Sequence, residues 1–558
     1  MLESNAVKNL LQRYQERAIS RRQLLVGAAA LGISASLLNE TLVREVAARP
    51  AAQDAPTPGG TLREGYDLDF SKLDPVSTSW YDSAFHALYD SLLIDAPDGA
   101  LQPNLAESWE VSEDGTTVTF TLKEGGLFHS GAPLTAEAVK SLYETIQDPA
   151  SGSPLSTLFS PVESIEAPDE TTLVLNMAHP YFEVLNVVKT GYWAIAYQAT
   201  RAAEAEAYGQ SVVDGTGPFL FSEWVPGSHT SVIRGEDYPG SIVPYFENKG
   251  TAYLEGIRWE AILEGAQRAI KIENGEIDTL RNPLLQDVAR LEQNADLTVS
   301  SFSEPSGYIL STNFDRTDLD FQDVKMRQAI SHAIDRQAIV TALLADLGSA
   351  LYGPITPADL YYDPAVEEFN QFDLDKAKAL VAELGWTPGD DGVLTKDGVR
   401  HAFNLVVQAE SFNRDLGSVI QGSLAELGME VTVEALDRGS YFGKLNEGAD
   451  SSLFYYLWPV PIDVVILFVS SDTIGGSNWS RGSVVAVDEA IEAWKNAANA
   501  DELKAAGSQF QLAVAENLNT IPLVVRNSVW VQRPNVHGWL PHQYDIYPHY
   551  NDVWVDQA

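Results

Sequence analysis

A hairpin followed by a capped helix, between Pro103 and Ile146, constrains the fold of this chain most strongly. Polar and apolar residues alternate on both sides of a Ser-Glu-Asp-Gly turn, as they do in strands; the apolar positions are Trp109, Val111, Val118, Phe120 and Leu122. Gly115 supplies the positive φ that such a turn needs. Thr135 precedes a run with apolar residues at helical spacing and is predicted to cap it. The stretch therefore predicts an α/β unit.

Length and composition exclude several classes of protein. A chain of 558 residues is too long for one core, so we expect two or three lobes. Its 78 acidic and 36 basic residues give a net charge of −42, which repels nucleic acid, because phosphate binding depends on Lys and Arg. The acidity indicates a well-solvated surface, suited to a salty medium, and attraction of cationic ligands is a second interpretation. The absence of cysteine excludes disulfides, thiolate metal sites and Cys nucleophiles.

The first 52 residues are predicted to be an export leader. Twin arginines, Arg21 and Arg22, stand directly before an uncharged apolar run at 24–38. That run is shorter than the ~20 residues of a membrane span, and the pattern resembles a Tat signal. Several alanines offer cleavage positions, and an uncleaved anchor is also open. We expect the protein in the periplasm or at the outer face of the cytoplasmic membrane, without lipid on a cysteine.

The amino-acid sequence of the opening stretch also resembles that of a known family. Residues 108–140 read SWEVSEDGTTVTFTLKEGGLFHSGAPLTAEAVK. This is similar to the signature of the extracellular solute-binding proteins of peptide and nickel ABC importers, bacterial family 5. Residues 214–227, 321–336 and 372–386 resemble later segments of that family in the same order. The resemblance extends over about 500 residues.

The resemblance implies an α/β fold of the periplasmic binding protein type II kind. We expect two large lobes joined by a hinge and an extra small α/β domain, the arrangement called cluster C. Lobe I is predicted to be discontinuous, at 53–95, 209–312 and 525–558, with the small domain at 96–208 and lobe II at 313–524.

Three structural roles are predicted within the matching segments. The glycines of 214–227 fit a tight backbone crossing, because the Gly-Lys-Ser/Thr of a phosphate loop is missing. His129 is predicted to be structural. Arg327 and Asp335 are expected to pair and fix one helix.

The ligand site implied by the resemblance is formed by aromatic side chains and one carboxylate. Trp80 and Tyr81 fall in a loop that faces the ligand cleft in relatives. Relatives also place an Asp three residues after a Trp, where it binds the α-ammonium group of a peptide. Here Trp458 matches that Trp, but Pro461 occupies the Asp position. Asp463 is the available substitute.

Three further residues complete the predicted ligand-binding set. Asn478 and Trp479 fall in a loop that covers the ligand in relatives. A loop with two exposed aromatic residues is predicted at Gly191-Tyr192-Trp193. Trp193 is therefore predicted to contact the ligand as well. Because the usual Asp is replaced, sugars and other neutral solutes that stack on aromatic faces stay open as ligands.

The predicted function is the substrate-binding component of an ABC importer. It would close two lobes around an oligopeptide, a dipeptide or a similar solute and deliver it to membrane permease subunits. We expect a monomer with no cofactor, no metal, no catalytic residue and no nucleic-acid partner. An oligosaccharide receptor and a chemosensory receptor partner of the same fold are alternatives. A secreted hydrolase is another, although the chain has neither a Gly-x-Ser-x-Gly nor a His-Glu-x-x-His motif.

Overall fold

The computed structural model describes residues 56–78, 82–457, 461–545 and 547–556. The α-helices of these residues are α1 Ser83–Leu88, α2 Ala136–Gln147, α3 Val184–Val187, α4 Gln198–Ala203, α5 Gly265–Asn274, α6 Leu285–Glu292, α7 Val324–Ala333, α8 Arg336–Leu343, α9 Leu374–Glu383, α10 Ser411–Leu427, α11 Arg438–Glu447, α12 Pro461–Val469, α13 Val485–Lys495 and α14 Ala500–Asn517. No helix in this part of the chain is long and apolar enough to cross a membrane.

The strands are numbered in chain order: β1 Thr61–Tyr66, β2 Leu93–Asp95, β3 Leu101–Pro103, β4 Ala106–Val111, β5 Thr117–Leu122, β6 Val162–Glu166, β7 Thr172–Met177, β8 Phe219–Val225, β9 His229–Arg234, β10 Gly256–Ala261, β11 Thr279–Arg281, β12 Thr298–Ser303, β13 Ser306–Thr312, β14 Gly348–Ala350, β15 Thr387–Pro388, β16 Leu394–Lys396, β17 Val399–Arg400, β18 Ala402–Gln408, β19 Glu430–Leu436, β20 Ser451–Leu457, β21 Ile521–Gln532, β22 Val536–His537 and β23 Trp554–Val555. The main sheet has the order β19-β18-β20-β13-β21-β11-β1-β10-β9-β8, with β12 and β14 also paired to β21.

One long strand, β21, joins the two halves of the main sheet. Its first half pairs with β13 and β14, and its second half pairs with β12 and β11. Ten of its 12 residues, all but Arg526 and Gln532, are buried, as expected for a strand that is covered on both faces. Arg526 lies at the transition from one set of partners to the other.

The opening stretch folds as the sequence predicts. Strands β4 and β5 form an antiparallel pair, and β7 and β6 extend it to a four-stranded sheet. Gly115 has φ +69° in the turn. Thr135 Oγ1 accepts a hydrogen bond from the Ala138 amide (3.2 Å) and caps α2. The apolar stripe of α2 is buried in a core continuous with that under β1 and β10.

The glycines at 215 and 217 allow the close crossing predicted for them. A Cβ on Gly215 would lie 2.0 Å from the Leu88 carbonyl oxygen, and one on Gly217 would lie 2.5 Å from the Ala87 oxygen. His129 secures the crossing, because its Nδ1 accepts from the Gly215 amide (3.2 Å) and its Nε2 lies 3.1 Å from the Gly217 oxygen. His129 is thus structural, as expected.

Helices cover both faces of the second half of the sheet. Along β18, Leu405 and Val407 pack into the core formed with α7 to α10, whereas Val406 faces α11. Strand β13 alternates in the same way, with Leu310 on the first side and Ile309 on the side of α12 to α14. The strands are buried on both faces, as in doubly covered α/β sheets.

The predicted Arg327–Asp335 pair is wrong. The helix breaks at 334–335, and Asp335 caps α8 by accepting from the Ala338 amide (2.9 Å). Arg327 is 2% exposed and donates to the Asn517 and Phe321 carbonyl oxygens (2.8 and 2.9 Å). Both residues therefore fix the chain, but each through its own backbone partners.

Candidate functional site

Three of the predicted ligand-binding residues, Trp80, Tyr81 and Trp458, lie outside the described residues. Trp193 is described and is 1% exposed. Its ring stacks on Phe159 at a centroid distance of 4.3 Å and meets Tyr143 edge-on at 5.4 Å. The expectation of an exposed aromatic loop at 191–193 is therefore wrong, because this turn packs its aromatic rings into the core.

The loop that carries Asn478 and Trp479 is held mainly by its own hydrogen bonds. Asn478 is 1% exposed, and its amide donates to the oxygens of Ser470 and Gly482 (both 2.9 Å) while its Oδ1 accepts from Ser480 (2.7 Å). A ligand contact by the Asn478 side chain is not supported, because its hydrogen-bonding groups are committed to the loop. Trp479 is half-buried.

Trp479 belongs to an aromatic cluster on the α11 side of the sheet. Its ring lies 5.1 Å from Phe454, 5.6 Å from Phe468 and 5.7 Å from Phe442, and its indole nitrogen donates to Asn446 (3.2 Å). The cluster fixes the orientation of the indole. Its remaining exposed edge is the part available to a ligand.

Asp463 lies in the first turn of α12 with an incompletely satisfied carboxylate. Trp494 of α13 donates to Oδ1 (2.9 Å). Oδ2 is buried and has no hydrogen-bond partner among the residues described by the structure. Burial raises the pKa of Asp463 to about 6. An unpaired buried carboxylate is costly unless it meets a cation or binds a proton.

A second buried carboxylate, Glu183, approaches Asp463 from the region before α3. Glu183 is 3% exposed, and burial, followed by the charge of Asp463, raises its pKa well above the usual range. The Asn186 amide donates to Glu183 (2.8 Å) and to the Tyr361 hydroxyl (2.9 Å). Tyr361 in turn packs edge-on against Trp494 at 5.3 Å. A continuous chain of contacts thus connects the two carboxylates.

A third carboxylate, Asp359, extends this group, which we call the acidic junction (Glu183, Asp359 and Asp463). Burial raises the pKa of Asp359 to about 6, which the charge of Lys189 partly counteracts. Lys189 itself is paired with Asp95 at 2.8 Å. Lys495 also acts on Asp463. The junction therefore sets three carboxylates, one buried and two half-buried, against two lysines.

A second charged group surrounds the transition in β21. Glu304 is 1% exposed, and one of its oxygens accepts from Tyr455 (2.6 Å), Ser306 (3.1 Å) and Arg526 (3.1 Å). Burial opposes its ionisation, but Arg526 and Tyr455 together lower the pKa of Glu304. The Arg526 guanidinium also lies over the Tyr455 ring at 5.0 Å. The other Glu304 oxygen, Oε1, is buried without a hydrogen-bond partner among the described residues, and the contacts of Oε2 link β13, β20 and β21.

Arg281, at the end of β11, also has its charge paired within the protein, although its buried Nε has no hydrogen-bond partner among the described residues. It is 2% exposed, pairs with Asp67 at 3.1 Å, and lies over the rings of Tyr66 and Tyr547 at 5.5 and 5.3 Å. Its charge is compensated by one carboxylate and two aromatic faces. Unlike Glu304 and Arg281, the three carboxylates of the acidic junction form no ion pair with a described residue.

A family model described as bacterial extracellular solute-binding proteins, family 5 Middle, matches residues 100–465. The chain belongs to this family. Among its curated relatives, the nickel-binding periplasmic protein of Escherichia coli K12 is 25% identical over 67% of this chain and 71% of its own length. The glutathione-binding protein GsiB of the same strain is 26% identical over 77% of this chain and 78% of its own.

The fold of this family 5 protein matches that of a solved relative. The ABC transporter-associated periplasmic binding protein DppA of Helicobacter pylori, in complex with the peptide STSA, superposes with a TM-score of 0.73 at 22% identity. The match covers 90% of this chain and 99% of the other. The predicted α/β periplasmic-binding-protein fold is thereby confirmed.

Sequence reasoning missed Glu183, Asp359 and Arg526 in this solute-binding protein, although a signal was present for Glu183 and Arg526. Glu183 stands inside PYFEVLNVV, and Arg526 stands inside IPLVVRNSVWV. A charge within an apolar run is buried with its element, so it must find a partner. That signal identifies a buried charge but does not say which other charges lie near it.

Proposed function

We propose that this protein captures a small solute with at least one cationic group, such as the ammonium of a peptide, and delivers it to an ABC permease. The observation that carries the proposal is the buried Oδ2 of Asp463, which lacks a hydrogen-bond partner in the described structure. Glu183 adds a second buried carboxylate nearby. A ligand cation placed there gains charge-assisted hydrogen bonds and removes the cost of burying the carboxylates.

The predicted lobes supply the mechanism of capture. Glu183 falls within the predicted small domain at 96–208, and Asp463 falls within predicted lobe II at 313–524. A ligand between them would favour the closed arrangement, since closure brings both carboxylates to its cation. β21 and the strands beside it would form the hinge, with lobe I at 53–95, 209–312 and 525–558.

The remaining ligand contacts are proposed to be aromatic. Trp80, Tyr81, Trp458 and the exposed edge of Trp479 would cover apolar parts of the solute. We propose that the ligand leaves unchanged, that the protein acts as a monomer, and that the twin-arginine leader at 1–52 directs it across the membrane. The relatives that bind nickel, glutathione and a peptide support a small solute of varied chemistry.

Asp463→Asn is expected to weaken binding of a cationic solute by about 100-fold, because losing one partner of a buried charge pair costs about 2–5 kcal/mol. Calorimetry would compare a tripeptide with its N-acetylated form. The tripeptide should bind the native protein one-to-one and the acetylated form far more weakly. Asp472→Asn, a nearby exposed residue, is the matched control and should leave affinity unchanged.

Other outcomes would separate the alternatives. Equal binding of both peptides, or full affinity in the Asp463→Asn variant, would contradict the ammonium contact. Tight binding of a neutral oligosaccharide alone would favour the sugar receptor. A chemically altered ligand, detected by mass spectrometry after incubation, would favour the hydrolase.

A further inference from the structure

Two histidines and an aspartate meet at a site separate from the acidic junction. They are His86 of α1, with Asp545 and His549 of the C-terminal segment, and one potential ligand atom from each lies within 4.8 Å of the others. His86 Nε2 and His549 Nε2 lie 3.4 and 3.2 Å from the same Asp545 oxygen, Oδ2. Residues almost 460 positions apart in sequence thus converge on one carboxylate.

The distances suit a first-row transition metal ion. Zinc binds imidazole nitrogen and carboxylate oxygen at about 2.0–2.2 Å, so neighbouring ligand atoms at tetrahedral corners lie about 3.3–3.6 Å apart. The distances from the two histidine nitrogens to Asp545 Oδ2 are close to this separation between neighbouring ligand atoms. The two imidazoles are stacked at 4.2 Å with an interplanar angle of 4°. Binding of one ion by both nitrogens would require the rings to splay from this parallel stack.

A small cavity beside the cluster provides room for a fourth ligand. The cavity, of about 10 Å³, is bordered by all three residues and by Asp90 and Lys189. This volume accommodates about one water molecule. Three protein ligands and one water complete a tetrahedral zinc site.

The charges around the cavity favour a cation. Asp90 Oδ2 is buried and has no hydrogen-bond partner within the described ranges. Two lysines oppose a cation. The Lys189 ammonium is already paired with Asp95 at 2.8 Å, whereas Lys123 acts on Asp90 and donates to the Gly240 carbonyl oxygen (2.8 Å). Asp90 and Asp545 therefore both direct negative charge to this cavity.

We propose that His86, His549 and Asp545 bind a divalent transition metal ion of the zinc type. The ion would link the C-terminal segment to α1, with His542 as a positioning residue, since its Nδ1 accepts from the Asp545 amide (3.2 Å). This site does not depend on solute capture, because none of its ligands belongs to the acidic junction. It departs from the expectation from sequence that the protein holds no metal.

Zinc titration of the chelator-stripped full-length protein tests the proposal. Calorimetry should give one Zn²⁺ per chain, and zinc should raise the melting temperature by mass action. His549→Gln and His86→Gln should each weaken Zn²⁺ affinity by at least about 10-fold to 100-fold. Co²⁺ should give the visible absorption bands of a low-coordinate site, and these should be lost in both variants.

His537→Gln is the matched control. His537 Nε2 also contacts a carboxylate, Asp556, at 3.0 Å, but no third ligand is grouped with that pair among the described residues. This variant should keep native zinc affinity. No zinc binding by the native protein would overturn the proposal, as would undiminished binding in His549→Gln. Binding lost in Asp463→Asn but kept in His549→Gln would place the ion in the acidic junction instead.

Discussion

Replacing Arg336 with Met is expected to lower the free energy of unfolding by about 3–5 kcal/mol. The Arg336 side chain is 1% exposed, and burial lowers its pKa to about 10. Its guanidinium is solvated by the protein through hydrogen bonds of 2.7–3.4 Å to Ser331 Oγ and to the carbonyl oxygens of Ser331, Ile334, Leu351, Asn370 and Pro522.

Met fills a similar volume but donates no hydrogen bond. The variant no longer buries a charge, which stabilises the folded state. However, several buried carbonyls lose a hydrogen-bond donor, which costs about 1–3 kcal/mol of stability each. These carbonyls belong to α7, to three connecting segments and to β21, so the loss affects several elements of the second half of the sheet. The net effect is therefore expected to be destabilising.

Urea denaturation of the native protein and the variant would measure this difference. Arg290→Met is the matched control, because the Arg290 side chain is 48% exposed and makes only surface ion pairs; it should change stability by less than about 1 kcal/mol. An Arg336→Met protein as stable as the native one would show that the buried carbonyls are satisfied in another way. Arg336→Lys, with three donors, should fall between the two.

The region around Arg336 also shows which contacts can be predicted from the sequence and which cannot. The Ala-Ile-Asp-Arg segment marks the family, and local rules account for the Asp335 cap. The expected partner of Asp335, Arg327, instead binds the backbone oxygens of Phe321, six residues before it, and of Asn517, 190 residues after it. Spacing along a helix cannot predict a helix break followed by long-range backbone contacts, because those depend on where loops return.

The candidate site shows the same division between local and long-range information. Periodicity and turn residues predicted the hairpin at 106–122 and its following helix, since each rests on neighbouring residues. The exposure of Trp193 was predicted wrongly. A loop-like sequence does not show that Tyr143 of α2 and Phe159 pack against this indole in the folded chain. The acidic junction joins residues 183, 359 and 463, and only the tertiary fold brings them together.

The acidic junction is expected to make the ligand-free protein less stable as pH rises from about 4 to 6.5. The folded-state pKa values of Asp463 and Asp359 are raised to about 6, above about 3.9 for an unfolded Asp. Below pH 4 both states bind the proton and no penalty arises. Above pH 6 the folded state must bury the charged form, whereas the unfolded chain exposes it to water, so stability is lost.

Asp463→Asn isolates this effect from the titration of the many other carboxylates. A difference of about two pKa units corresponds to about 3 kcal/mol, and partial access of water reduces the expected gain to about 1–3 kcal/mol. The variant should therefore be more stable than the native protein at pH 7.5 and equally stable at pH 4. Urea denaturation at both pH values would measure it, with Asp472→Asn as the control that shows no pH-dependent difference.

The same substitution is expected to weaken binding of a cationic solute by about 100-fold, so stability and function should change in opposite directions. That combination is typical of a binding site that holds an unfavourable charge for its ligand. A variant less stable than the native protein at pH 7.5 would mean that Asp463 already has a compensating cation in the folded chain. In that case its carboxylate would serve as a structural partner, and the ligand's cation would have to be bound elsewhere.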